Sequence, residues 1–300
     1  MTQEVAGAMN PLDLAGLTAL MGRTVGRREI VIGLVDGPIA TNHPDLASDA
    51  ICEIPGRISG SCTKTNTTAC LHGTFVAGIL CAKRGSIAPA LCPNCTLLTY
   101  PIFAETASET IQVVSATPED LTTAIFACVE AGARILNLSL ALTQWSYKGQ
   151  RGLGDALDHA ARRGVIVVAA AGNQGTMGST AITRHPWVIP VVACDVKGRP
   201  TKESNLGRSI GRGGLRAPGD GITSLGARGE PVTLGGTSVA APFVTGAIAL
   251  VWSEFPTATA AEVKAVVTQS FIRRRATVTP PLLDAWAAYA LMALARRDMS

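Results

Sequence analysis

The sequence predicts an α/β fold: a three-layer, doubly wound, mostly parallel sheet forming one domain. Three features carry that expectation. Several runs of strand length are apolar throughout rather than alternating, as strands covered on both faces are. Capped segments of helical length separate them. The joins are short, and neither a linker nor an internal repeat divides the 300 residues.

Taken in order, Asn10-Pro11-Leu12-Asp13 reads as a helix start, with Asn as N-cap and Pro at the first helical position, and that helix is expected to end near Gly22. Residues 1–28 form an N-terminal helical arm. With only 35 residues before Asp36, no separate prodomain is expected. Glu29–Val35 is the first strand, with Asp36-Gly37-Pro38 at its carboxyl end, the place where open α/β sheets collect functional groups. His43-Pro44-Asp45-Leu46 reads as a turn, and residues 52–70, rich in Thr, Gly and Cys, as an irregular surface loop. A loop-to-helix junction follows at Leu71–Leu80, with His72 at the helix mouth. Thr96–Ile102 is a strand. Pro118–Gly132 is a helix capped by Thr117 and stopped by Gly132. The strand Ala133–Leu140 leads to a polar connection holding Trp145 and Tyr147. Gly154–Arg163 is an amphipathic helix. Val165–Ala171 is a buried strand running into Gly172-Asn173-Gln174-Gly175, and Val188–Cys194 is the next strand. Gly235-Gly236-Thr237-Ser238 then feeds an apolar helix from Ser238 to about Ser253, with Pro242 expected in its opening turn, where a missing amide is harmless. Helices at Ala258–Phe271 and Pro281–Arg297 complete the chain.

Composition narrows the function classes. Net charge is only +4, and the one dense basic cluster, Arg273-Arg274-Arg275, reads as a solvated helix end rather than a nucleic-acid patch. Apolar stretches such as Val165–Ala171 and Ala285–Ala295 fall short of the roughly 18–20 residues that span a bilayer. Met1-Thr2-Gln3-Glu4 does not begin a secretory signal. A cytoplasmic location is therefore expected, with the eight cysteines reduced and mostly buried. The alternatives are a disulfide among Cys52, Cys62 and Cys70 or between Cys92 and Cys95, or a metal held by Cys92-Pro93-Asn94-Cys95.

Asp36, His72, Asn173 and Ser238 all lie in glycine-bearing turns beside apolar elements. Singly they are a turn aspartate, a core histidine, a loop amide and an N-cap serine. Together they are the parts of an acyl-transfer site. His72 would take the proton from Ser238, Asp36 would orient the imidazole, and the Asn173 side chain with the Ser238 N–H would donate to an oxyanion.

The stretches Val35-Asp36-Gly37, His43-Pro44-Asp45-Leu46, His72-Gly73-Thr74-Phe75-Val76-Ala77-Gly78, Ala169–Gly175, Ala217-Pro218-Gly219 and Gly236–Pro242 resemble the subtilases, the subtilisin-like serine peptidases, in the order Asp…His…Ser. The resemblance covers about residues 30–255. It implies a catalytic triad of Asp36, His72 and Ser238 with Asn173 as oxyanion donor and no cofactor. It also implies a strand, Leu138, Ser139 and Leu140, that pairs with an extended peptide. Gly37 stands where the family has Ser or Thr, Phe75 where a second His is common, and Ala141-Leu142 where Gly often follows the substrate strand. The loop after the His72 helix, Lys83–Pro89, is too short for the family's calcium site, and Asp45 alone is not a hard-cation site, so no metal is expected. Val35–Ile39 with Cys92–Cys95 is similar to the proteases that mature cyanobactin-type ribosomal peptides. That similarity implies a precursor-peptide substrate, leader removal and neighbouring biosynthetic enzymes as partners. The macrocyclising members carry an added helical insertion near the site. Only 36 positions separate Asp36 from His72, without a helical pattern, which favours hydrolysis. A transamidating macrocyclase and a non-catalytic peptide-binding scaffold are the alternatives.

Overall fold

A computed structural model describes residues 9–105, 115–142, 150–269 and 277–297. Trp145, Tyr147, Arg273–Arg275 and the first residues of the chain lie outside them. The strands are β1 (Val31–Asp36), β2 (Ile51–Glu53), β3 (Thr96–Pro101), β4 (Ser115–Ala116), β5 (Ile135–Leu138), β6 (Ala141–Leu142), β7 (Ile166–Ala170), β8 (Val188–Cys194), β9 (Leu215–Pro218), β10 (Ile222–Leu225) and β11 (Pro231–Leu234). Seven of them make one sheet in the order β2-β3-β1-β5-β7-β8-β9, and every pairing in it is parallel. The chain winds from β1 out to β2, back to β3, then over to β5 and outward on the other side. Winding reverses at β1, so a crevice opens at that strand's carboxyl end.

The helices are α1 (Pro11–Leu14), α2 (Leu17–Met21), α3 (Thr68–Cys81), α4 (Pro118–Glu130), α5 (Gln150–Arg162), α6 (Ala181–Arg184), α7 (Arg208–Gly213), α8 (Thr237–Glu254), α9 (Ala260–Thr268) and α10 (Ala285–Arg297). They make two layers. Phe75, Ile79, Val244, Ile248 and Trp252 of α3 and α8 pack on Ile32, Ile135 and Val168. Leu121, Ile125, Leu153 and Leu157 of α4 and α5 pack on Leu136, Leu138 and Val167 on the opposite face. Adjacent strand residues thus enter different cores, which is why these strands carry no polar face.

Several predicted boundaries move, each for a local reason. The N-terminal helix is two short ones, because Gly16 takes a left-handed conformation (φ +63) where a Cβ would meet Asp284 and the backbone of α10. The polar segment 52–70 is not all loop: β2 begins at Ile51, and α3 begins at Thr68, capped by the Thr67 hydroxyl accepting from the Cys70 amide at 3.2 Å. His72 therefore sits in the second turn of α3, not at its mouth. The Asn10 and Thr117 caps form as expected. The last two helices are shorter than expected, starting at Ala260 and Ala285.

Cys62 and Cys70 are joined by a disulfide that ties the loop before α3 to its first turn, against the expectation of reduced thiols throughout. A disulfide favours an oxidising setting, so it lends nothing to a cytoplasmic location. Cys52, Cys81, Cys92, Cys95, Cys128 and Cys194 are free, and Cys92–Cys95 is not a disulfide. Hydrogen bonding with Cys81 and burial hold the Cys92 thiol well above its ordinary pKa. Among the described residues, the one group of three metal-type donors is Cys62, Cys70 and Glu105, and its sulfurs are already bonded to each other. No helix among them is long and apolar enough to cross a membrane.

The short loop after α3 is held by an exposed arginine. The Arg84 guanidinium donates to the carbonyls of Ala90 (2.7 Å), Met21 (3.0 Å), Thr24 (3.3 Å) and Leu91 (2.7 Å), joining the N-terminal arm to this loop. Asp45 contributes its backbone carbonyl to the Lys83 amide at 2.7 Å.

Two predictions follow from these ties. Replacing Cys62 and Cys70 by Ser, or reducing the wild type, should lower stability by about 2–3 kcal/mol, read as a melting point lower by several degrees. Reductant should add nothing to the variant. Arg84→Met should cost about 2 kcal/mol in a urea titration because four carbonyls lose a shared, half-exposed partner, whereas EDTA should leave the melting point unchanged.

Candidate active site

Asp36 closes β1 and is fully buried. Its Oδ1 accepts from the Gly37 amide at 2.6 Å and from His72 Nδ1 at 2.7 Å, and its Oδ2 is buried without a partner among the described residues. The approach of His72 depends on two glycines. A Cβ on Gly37 would strike the Ala69 carbonyl, and one on Gly73 would strike the carbonyls of Gly37 and Pro38. The turn after β1 and the first turns of α3 touch backbone to backbone. Gly37, unusual in the motif, is thus required by how closely α3 lies on that turn.

The His72 side chain is 13% exposed. Its Nε2 lies 3.1 Å from Ser238 Oγ. An unprotonated carboxylate can only accept, so Nδ1 carries the proton and the Nε2 lone pair faces the hydroxyl. Burial pulls the His72 pKa down. The Asp36 charge and hydrogen bond together push it up further, and the net is above the ordinary histidine value.

Ser238 is the second residue of α8, among the first amides of the helix, which have no carbonyl one turn back to bond. Gly236, at φ +123, makes the sharp entry. Thr237 donates from both its amide (2.8 Å) and its hydroxyl (2.9 Å) to Asn173 Oδ1, and Gly172 N–H donates to the Thr237 hydroxyl at 3.1 Å. This commits the carboxamide oxygen and fixes which edge of Asn173 is NH2. That NH2 lies over Gly236, where a Cβ would come within 2.9 Å of it. Asp36, His72 and Ser238 are thus joined side chain to side chain, and Asn173 is held against Gly236 and Thr237 at the entry to α8.

Of the predicted substrate strand, Leu138 ends β5, and Ser139 and Leu140 follow it. The Leu138 and Leu140 side chains belong to the core under α4 and α5, so a peptide here would meet only their main chain. Ala141 and Leu142 form β6 and pair in parallel with β4. Ser139 instead turns its hydroxyl on the Ser238 carbonyl, 2.8 Å away. Pro242 is the sixth residue of α8, not in its opening turn, so its missing amide is felt. Sequence reasoning missed the Thr237 clamp on Asn173; its signal was the Thr between Gly236 and Ser238. The arrangement aligns an acid, an imidazole and a hydroxyl, with amide donors beside the hydroxyl, which is the equipment for activating a nucleophile and stabilising an anion.

Residues 27–284 match the subtilase family, peptidase S8. Subtilisin DY of Bacillus licheniformis is 30% identical over 240 residues, spanning 78% of this chain and 81% of that protein. Subtilisin NAT of Bacillus subtilis subsp. natto is 29% identical, and the aligned region spans 58% of it. Among solved structures, a mutant of the protease domain of PatA superposes with a TM-score of 0.80 at 29% identity, covering 90% of this chain and 97% of that one. The prenylagaramide maturation protease PagA gives 0.78 at 26%, covering 92% and 98%. The PatG macrocyclase in complex with peptide also gives 0.80, at 21% identity and covering 96% and 99%, a likeness of fold alone. The chain belongs to the subtilase family of serine peptidases.

Proposed function

We propose that the chain is an endopeptidase, working as one peptidase domain, in which Ser238 is the nucleophile, His72 the general base and then acid, and Asp36 the group that orients and stabilises the imidazolium. The observation that carries this reading is the His72 ring spanning Asp36 Oδ1 at 2.7 Å and Ser238 Oγ at 3.1 Å. Ser238 Oγ attacks the scissile carbonyl as its proton passes to His72 Nε2. The oxyanion accepts from the Asn173 NH2 and the Ser238 N–H. His72 then protonates the departing amine, and water repeats the sequence on the acyl-enzyme. The extended peptide pairs with the main chain of Leu138, Ser139 and Leu140.

The substrate in this reading is a ribosomal precursor peptide whose leader is removed in the cytoplasm beside other maturation enzymes. Support comes from the names of the solved relatives above 25% identity, PagA among them. Hydrolysis is favoured over cyclisation because residues 37–67, between Asp36 and α3, hold only the one-turn helix Ser48–Ala50 and β2, with no longer helix inserted there.

Incubation with a candidate precursor peptide, read by mass spectrometry, tests the function. Two linear fragments whose masses sum to the precursor plus one water are expected, and a cyclic fragment, with the masses summing to the precursor alone, would mark a macrocyclase. Ser238→Ala should abolish turnover, and Asn173→Ala should lower kcat about 10²–10³-fold. Bound peptide with no product from the wild type would leave only a binding scaffold.

The raised His72 pKa sets the pH dependence. The neutral ring is the base, so the acid limb of kcat/KM should lie above pH 6.5. Stability has the opposite sign: the ion pair with Asp36 contributes fully below the unfolded value and is lost as pH rises through the folded one. Asp36→Asn should move the limb downward and lower kcat by about 10⁴-fold. A pH–rate profile and melting curves over the same range check both.

A further inference from the structure

We infer that Ser139, held by Asn137 and Thr245, is a positioning residue that sets the place of the nucleophile by supplying the hydrogen bond that Pro242 withholds; this rests on the reading of Ser238 as nucleophile. In a regular α-helix the carbonyl of residue 238 would accept from the amide of residue 242. That residue is Pro242, which has no N–H. The Ser139 hydroxyl donates to this carbonyl from the neighbouring strand end at 2.8 Å. A bond along the helix axis is thus exchanged for a lateral one that anchors the Ser238 backbone to the segment proposed to pair with the peptide.

The hydroxyl is aimed by a chain of donors running one way. Thr245 donates to Asn137 Oδ1 at 2.8 Å, and Asn137 Nδ2 donates to Ser139 Oγ at 2.7 Å. Ser139 then has its own proton left for Ser238. Asn137, Ser139 and Thr245 are all buried. Thr245 lies seven residues after Ser238, two turns along the same side of α8, while Asn137 in β5 and Ser139 just beyond its end are two positions apart and bonded to each other. Both ends of the chain of bonds lie on α8, so it fixes the register of the helix against β5. With these bonds made, Ser238 Oγ stays within reach of His72 Nε2 while the same segment receives the peptide.

A double-mutant cycle tests this. Ser139→Ala should lower kcat on the order of tenfold with KM nearly unchanged, because the acylating atom is displaced while the main chain that pairs with peptide remains. Pro242→Ala restores an amide to residue 242, so adding it to Ser139→Ala should recover most of that loss. The two changes would then be non-additive by at least about threefold. Should Ser139→Ala fold poorly, Thr245→Val reads the same chain at its far end, through slower labelling of Ser238 by a serine-directed phosphonate. Additive effects in the cycle, or a raised KM at constant kcat for Ser139→Ala, would overturn the inference. Turnover by Ser238→Ala would instead overturn the assignment of the nucleophile, a separate outcome.

Discussion

Helix α8 is buried along almost its whole length, and that burial fixes where everything else must stand. All residues from Val239 to Ser253 are inside the protein. The helix lies over β5, β7, β8 and β9, with α3 and α9 beside it. It has no solvent face to accommodate rotation, and close-packed interiors do not permit sliding by fractions of a turn. Where small residues occur, neighbours fill the space: the Leu91 side chain occupies the position a Cβ on Gly246 would take. The N-terminus of α8 is therefore held at the carboxyl edge of the sheet, next to the crevice where the winding reverses. That the Ser238 hydroxyl and amide stand at that end is a consequence of where an apolar rod must lie to close the core.

The histidine is brought to that point by backbone contact rather than by side-chain packing. Gly37 and Gly73 remove the two Cβ atoms that would separate α3 from the end of β1. The cost is visible in Asp36, whose second oxygen is buried without a donor among the described residues, a condition that is expensive in isolation. It is tolerated because the surrounding fold over-determines it. β1 is paired on both sides, α3 is capped by Thr67, and the Cys62–Cys70 disulfide secures the loop leading into the helix. Local rules are broken only where neighbouring elements enforce the geometry.

This division explains what was legible in the chain. β1, β3, β5, β7 and β8 announce themselves because strands covered on both faces need unbroken apolar runs. β9 does not, since four residues containing Arg216 and ending in Pro218 carry no such signature. The four polar residues of the candidate site could be picked out in the sequence because each interrupts or ends an apolar element beside glycine. The start of α3 was not, because its cap, Thr67, is one of several threonines in a polar stretch. Arg84 was illegible for a different reason. Its acceptors come from the arm and from the far side of its own loop, and sequence distance says nothing about carbonyls that converge. Thr245 and Asn137 are likewise indistinguishable from incidental polar residues until the helix and strand are laid side by side.

Pro242 joins these threads. A proline in the second turn of a buried helix is ordinarily a defect, costing an axial hydrogen bond and crowding the carbonyl one turn earlier. Here the carbonyl so released belongs to Ser238, and the donor that meets it comes from the end of β5. An ordinary helix would satisfy that carbonyl internally and leave the Ser238 backbone facing the end of β5 through van der Waals contact, which is non-directional, while Thr237 alone kept its hydrogen bonds to Asn173 and Gly172. A lateral hydrogen bond is directional, and it acts on the backbone of the residue whose side chain must stay within about 3 Å of the imidazole. Positional accuracy at the site thus comes from an irregularity in the helix, and the uniformly apolar packing farther along α8 is what allows the helix to carry it.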